Sequence, residues 1–153
     1  MKLSIETKHV QQDLMALKDF DINAFGRVAA LLRELHANQG SAIGQNLIDQ
    51  LNLQDRTQKV SDRMIGNSLR IQQEKLHRDL WRFKLWIMDT KGRQRLEPYR
   101  IIYGFFAASS FRKIPEIRIF AVPCRTYETE DSYDYQPDHP ITLRIRADYD
   151  AYQ

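Results

Sequence analysis

The chain holds one cysteine, Cys124, among its 153 residues. One thiol excludes an internal disulfide and a cysteine metal cluster, and such a residue is expected to be buried or incidental rather than nucleophilic. Long apolar runs are missing too. No run approaches the roughly 20 residues a bilayer span requires, and the opening "MKLSIETKHVQQDLMALKD" has no apolar signal-peptide core. A cytoplasmic protein with no membrane role is expected. Histidine is sparse: His9, His36, His77 and His139 show neither an H-x-x-x-H spacing nor a local pairing with a carboxylate, so no metal is expected. G-x-S-x-G, the Walker loop and G-x-G-x-x-G are all absent, which removes the defining residues of the hydrolase-elbow, nucleotide-phosphate and dinucleotide readings. No small-molecule cofactor is expected.

What is present is apolar and cationic. At 42% hydrophobic content the chain has enough material for a buried core, and its length suits a single domain spanning 1–153. The formal net charge of +3 is unevenly spread. Residues 1–69 balance eight Lys/Arg against eight Asp/Glu; residues 70–100 carry nine against four; residues 126–153 reverse to two against seven. A basic middle followed by an acidic tail suits a phosphate-facing surface with a shielding flank, or equally a solvated face with an acidic end.

The hydrophobic periods predict an α+β fold. "KLSIET" alternates as a short strand, and Val10, Leu14 and Leu17 fall at helical spacing. Asp21 is placed to cap a second helix whose stripe runs through Ile22, Phe25, Val28, Ala29, Leu32 and Leu35. "SAIGQNLIDQLN" reads as a further short helix, opening an extended helical middle at about 42–79, although Met64, Ile65, Leu69, Ile71 and Leu76 mix both periods. From Leu80 the period is two: Trp81, Phe83, Leu85 and Ile87 face one way, Arg82, Lys84, Trp86 and Met88 the other. "YRIIYGFFA" and "EIRIFAVPCR" are two further strands close enough for an antiparallel hairpin, so the N-terminal strand and helices are expected to pack on an antiparallel sheet. The acidic tail, about 126–153, is expected to close in a helix capped by Asp138, with Pro140 in its first turn.

Arg82 and Lys84 share a sheet face, and Arg100 stands near the start of the next strand; Arg125 ends the strand after that, followed by Tyr127, Tyr133 and Tyr135. Like charges gathered on one face are unfavourable without an anion, which favours a polyanionic ligand, while the plainer reading makes them the wet side of an amphipathic strand.

In this order, "LWRFKLWIMD", "YRIIYGFF" and "IRIFAVPCR" with a following Tyr resemble the RelE/ParE superfamily of toxin-antitoxin toxins. The likeness covers roughly 2–18 and 80–135. It implies a small α+β domain with a basic sheet face, an antitoxin partner, and one of two targets: mRNA cut on the ribosome by a RelE-like endoribonuclease, or DNA gyrase inhibited by a ParE-like relative. An inactive antitoxin-binding relative is a third possibility. By position, the resemblance implies RNA binding by Arg82, Lys84, Arg100 and Arg125, and catalysis by Lys84, Arg100, Arg125 and Tyr133, with Tyr127 or Tyr135 as substitutes for the last. The chemistry suits these types: arginine holds its proton and can only stabilise charge, whereas a lysine among arginines has its pKa lowered towards use as a base.

Overall fold

Alternation of Leu3 and Ile5 with polar neighbours produces strand β1 (Lys2–Ile5). In the computed structural model, which describes residues 1–37, 39, 48–49, 57–61, 63–124 and 136–153, the chain then turns into helix α1 (Thr7–Phe20). The Glu6 carboxylate caps α1 by accepting from the backbone N–H groups of Lys8 and His9 at 3.1 and 2.6 Å, satisfying two donors that a helix start leaves orphaned. Asp21 ends α1 and starts α2 (Ile22–Ala37): its Oδ1 accepts from Asn23 and Ala24, as the sequence predicts. Val10 and Leu17 of α1, with Ala24, Val28, Leu31, Leu32 and Leu35 of α2, are buried.

The middle departs from expectation. Where an extended helical segment is predicted, β2 (Thr57–Ser61) and β3 (Met64–Arg70) pair antiparallel, followed by a short 3-10 turn at Gln72–Glu74. Of the predicted helix at 41–52, only Ile48 and Asp49 are described; both are helical and Ile48 is buried. The polar connection "DTKGRQRLEP" holds a further short strand, β5 (Gln94–Leu96), which folds back on β4 (Leu80–Met88) through Gly92, whose φ of 78° lies in the left-handed region. Strands β6 (Ile101–Phe106) and β7 (Glu116–Ala121) form the predicted hairpin.

The sheet runs β1-β7-β6-β4-β3-β2, with β5 pairing the second half of β4. It is mixed, not wholly antiparallel: β1 pairs parallel with β7, because the chain starts at the edge on which it later finishes its last strand. One face is covered by α1 and α2, the other by a helix over part of its length. Trp81, Phe83, Leu85, Tyr103, Ile117 and Ile119 pack against α1 and α2. On the other face helix α3 (Pro140–Tyr152) lays Ile145 and Tyr149 on Leu80, Ile102, Phe106 and Phe120. His139, not Asp138, caps α3: its Nδ1 accepts from the Ile141 N–H at 3.1 Å, with Pro140 in the first turn as predicted. Among the described residues no helix is long and apolar enough to cross a membrane.

Candidate functional site

Strand β4 decides where the cations go. Its odd residues enter the core under α1 and α2, so its even residues must emerge on the face that carries α3. Leu80, the first of them, lies beneath the helix; Arg82, Lys84 and Trp86 continue the same row away from it. Pairing extends the surface sideways. Arg82 stands between Leu69 and Ile102, Lys84 opposite Asn67, and Trp86 between Ile65 and Leu96; Lys59, paired to Ile65, adds an exposed cation to the same face.

Asn67 orients the row. Its Oδ1 accepts from Arg82 Nη1 at 3.2 Å, reaching diagonally from the position opposite Lys84, and so fixes the direction of the guanidinium across the β3–β4 pair. Arg82, Lys84 and Trp86 are half-buried, their stems lying on the sheet.

Arg100 lies two residues before Ile102, the partner of Arg82, so alternation carries the row to the start of β6. It is only 4% exposed. Its Nη1 donates to the carbonyls of Glu97 and Tyr99 at 3.2 and 2.9 Å. The segment below it is fastened from α2: Arg27 grips the buried Glu97 carboxylate with two bonds of 3.0 and 2.8 Å, and that bond holds the Arg27 pKa above its ordinary value. Burial, reinforced by the Glu97 charge, pushes the Tyr99 phenol upward, so this corner keeps its protons.

The structure therefore places Arg82 and Lys84 on one face of β4 and Arg100, buried, just before β6. Arg125, Tyr127, Tyr133 and Tyr135 lie outside the described residues; Cys124, just before them, bridges Tyr99, and the Arg100 N–H donates to the Pro123 carbonyl at 3.1 Å. Of the acidic residues expected to flank this face, Asp131 and Asp134 also lie outside, and Asp138 precedes α3. Asn67 and Lys59 escaped the sequence reading because the strands that carry them were not recognised.

One further cluster forms only in three dimensions. His9 Nδ1 lies 2.5 Å from Asp148 Oδ2 and 3.9 Å from Glu6 Oε2, joining the first turn of α1 to α3. These three groups are near enough to share a cation, but Glu6 caps α1 and His9 binds Asp148, so they also satisfy one another.

Comparison with protein-family models, curated proteins and solved structures returned no match. The side chains alone carry the functional reading.

Proposed function

We propose that this chain is a RelE/ParE-like toxin acting as a ribosome-dependent mRNA endoribonuclease in the cytoplasm and held in check by a cognate antitoxin protein. The observation that carries the reading is the row on β4: Arg82, its guanidinium bonded to Asn67, then Lys84 and Trp86 at successive positions of the same strand face. Cations suit phosphates, and an aromatic face suits an unpaired base, which is the pairing of groups that single-stranded RNA requires.

In this reading Lys84, as a neutral amine, takes the proton from a ribose 2′-hydroxyl. The 2′-oxygen attacks the adjacent phosphorus, the bond to the 5′-oxygen breaks, and a 2′,3′-cyclic phosphate forms. Arg82 stabilises the negative charge gathering on the phosphoryl oxygens, and Arg100 adds its field from beneath the surface. Arg125 and Tyr133 retain the roles the resemblance implies, the second as proton donor to the leaving oxygen. A second reading, a non-cleaving binder such as a gyrase inhibitor, is favoured by Arg100: a guanidinium 4% exposed and bonded to two carbonyls has the surroundings of a structural arginine.

The deciding experiment measures mRNA cleavage on translating ribosomes alongside DNA supercoiling by gyrase. Cleavage is expected, and Lys84→Ala should slow it by about 10²–10⁴-fold, the usual contribution of a general base, while leaving RNA binding nearly intact. Inhibited supercoiling with intact mRNA would reject the nuclease in favour of the gyrase reading, and equal loss of binding and turnover would reject Lys84 as base.

A further inference from the structure

The end of the sheet where β4 begins and β6 finishes carries apolar side chains that neither core uses. Phe111 is 100% exposed, Leu76 83% and Ile114 53%. A large apolar group fully in water marks an interaction surface when several stand together. These do. The loop 71–79 enters β4 and the loop 107–115 leaves its neighbour β6, and the Phe105 N–H donates to the Asp79 carbonyl at 3.1 Å. The last turn of α3 fastens both loops: Arg78 grips Asp150 with bonds of 2.9 and 2.7 Å, while the Arg112 guanidinium stacks over Tyr152 and Phe106.

The Phe111 tip is also preformed. Ser109 Oγ accepts from the N–H groups of Phe111 and Arg112 at 3.3 and 3.2 Å, and the Ser109 N–H donates to the Arg112 carbonyl at 2.7 Å. Binding through this turn requires little further ordering of backbone.

Charge selects the partner. Lys75 and Lys113 are exposed beside the apolar tips. The nearby acids are already engaged by the protein: Glu74 by Arg78 and Arg146, Asp150 by Arg78, Asp79 by Arg70, and Glu116 by Lys2 and the Tyr152 hydroxyl. We propose that this rim docks on an anionic lipid surface, with Phe111 and Leu76 entering the headgroup boundary and Lys75 and Lys113 meeting the phosphates. Separate protrusions on two loops suit a fluid interface, which receives them without a matching shape. RNA would find a stacking face in Phe111 but no use for Leu76 and Ile114. No span is needed, which is why a search for long apolar runs in the sequence finds no membrane role. The rim lies at the opposite end of β4 from Trp86, so this docking is independent of the nucleic-acid face.

The test is co-sedimentation of the full chain with vesicles of phosphatidylcholine alone or mixed with phosphatidylserine. Binding is expected only to the mixed vesicles, weakened by salt. Phe111→Ser should lower the partition coefficient by about tenfold or more, the effect of withdrawing one aromatic side chain. Lys75→Glu with Lys113→Glu should abolish the preference for anionic lipid, and, like Phe111→Ser, should leave the melting temperature unchanged because all three side chains are exposed. Absence of vesicle binding, equal binding to both vesicle types, or wild-type partitioning by Phe111→Ser would overturn the proposal. So would a Phe111→Ser effect confined to binding of a single-stranded RNA oligomer, or to self-association in sedimentation.

Discussion

Arg144→Ala is expected to be among the more damaging single changes, because of what it strands. Asp13 is 8% exposed and joins three elements: from α1, its Oδ2 accepts the Val122 N–H just beyond β7 at 2.9 Å, and its two oxygens accept from Arg144 of α3 at 2.8 and 2.7 Å. Truncating Arg144 leaves a nearly dry carboxylate with one of its three partners. Stripping a buried pair of one member costs roughly 3–5 kcal/mol, and since the Arg144 side chain is itself 19% exposed, water softens the loss towards about 3 kcal/mol. Asp13→Ala orphans the Val122 N–H and should cost about 2 kcal/mol. The double variant leaves only that N–H unsatisfied, so it should also cost about 2 kcal/mol, not the roughly 5 kcal/mol of an additive pair. Urea unfolding of all four proteins at neutral pH measures this directly, and a thermal scan of Arg144→Ala should fall by about 6–12 °C for a domain of this size. A cost below about 1 kcal/mol for Arg144→Ala, as for an exposed pair, or additive single costs in the double variant, would refute the reasoning.

Gly66→Ala should destabilise by about 2–3 kcal/mol in the same assay, because an added Cβ would lie 2.1 Å from Cζ of the buried Phe83 ring, which has little room to yield. Glu116 supplies a pH test. Burial pushes its pKa up, but the Tyr152 and Ser4 hydroxyls, followed by Lys2 and Arg112, outweigh it and hold the pKa below the ordinary 4.5. A depressed carboxylate stabilises above its unfolded pKa and loses that contribution as pH falls through the folded one, so the stability gap between wild type and Glu116→Gln should close below pH 4.5. Tyr103 behaves oppositely: burial raises its phenol far above 10, opposed only in part by its bond to Ser68, so stability should fall as pH rises past 10. Its phenolate absorbance should appear only with unfolding; reversible titration near 10 in the native state would contradict its burial.

The elements most legible in the sequence are those with one wet and one dry side. Alternation in β4 placed Trp81, Phe83 and Leu85 inwards and Arg82, Lys84 and Trp86 together on the other face, and Asp21 announced the start of α2, because strand pleat and helix capping are local properties. Where a strand's outer face is neither wet nor dry, as in β3, the period blurs: Ser68 is buried against Tyr103 while Ile65 and Leu69, on the face of Trp86 and Arg82, are apolar but only half-buried, so the residue types fit a helix as well. Candidate chemistry followed the same division. The neighbouring cations Arg82 and Lys84 were visible in the chain, but Asn67, which aims one of them, reaches it across a strand pair.

By itself the sequence determined the α+β class, the split of β4 into core and cationic faces, and the lack of a thiol cluster, since each follows from residue types and near-neighbour spacing. Only the tertiary structure decided the parallel pairing of β1 with β7, the burial of Arg100, the meeting of Asp13 with Arg144 and the two-loop rim around Phe111. The physical reason is distance along the chain. Side chains separated by tens of residues are brought together only by burial of the core between them, and no local period records which of them will meet.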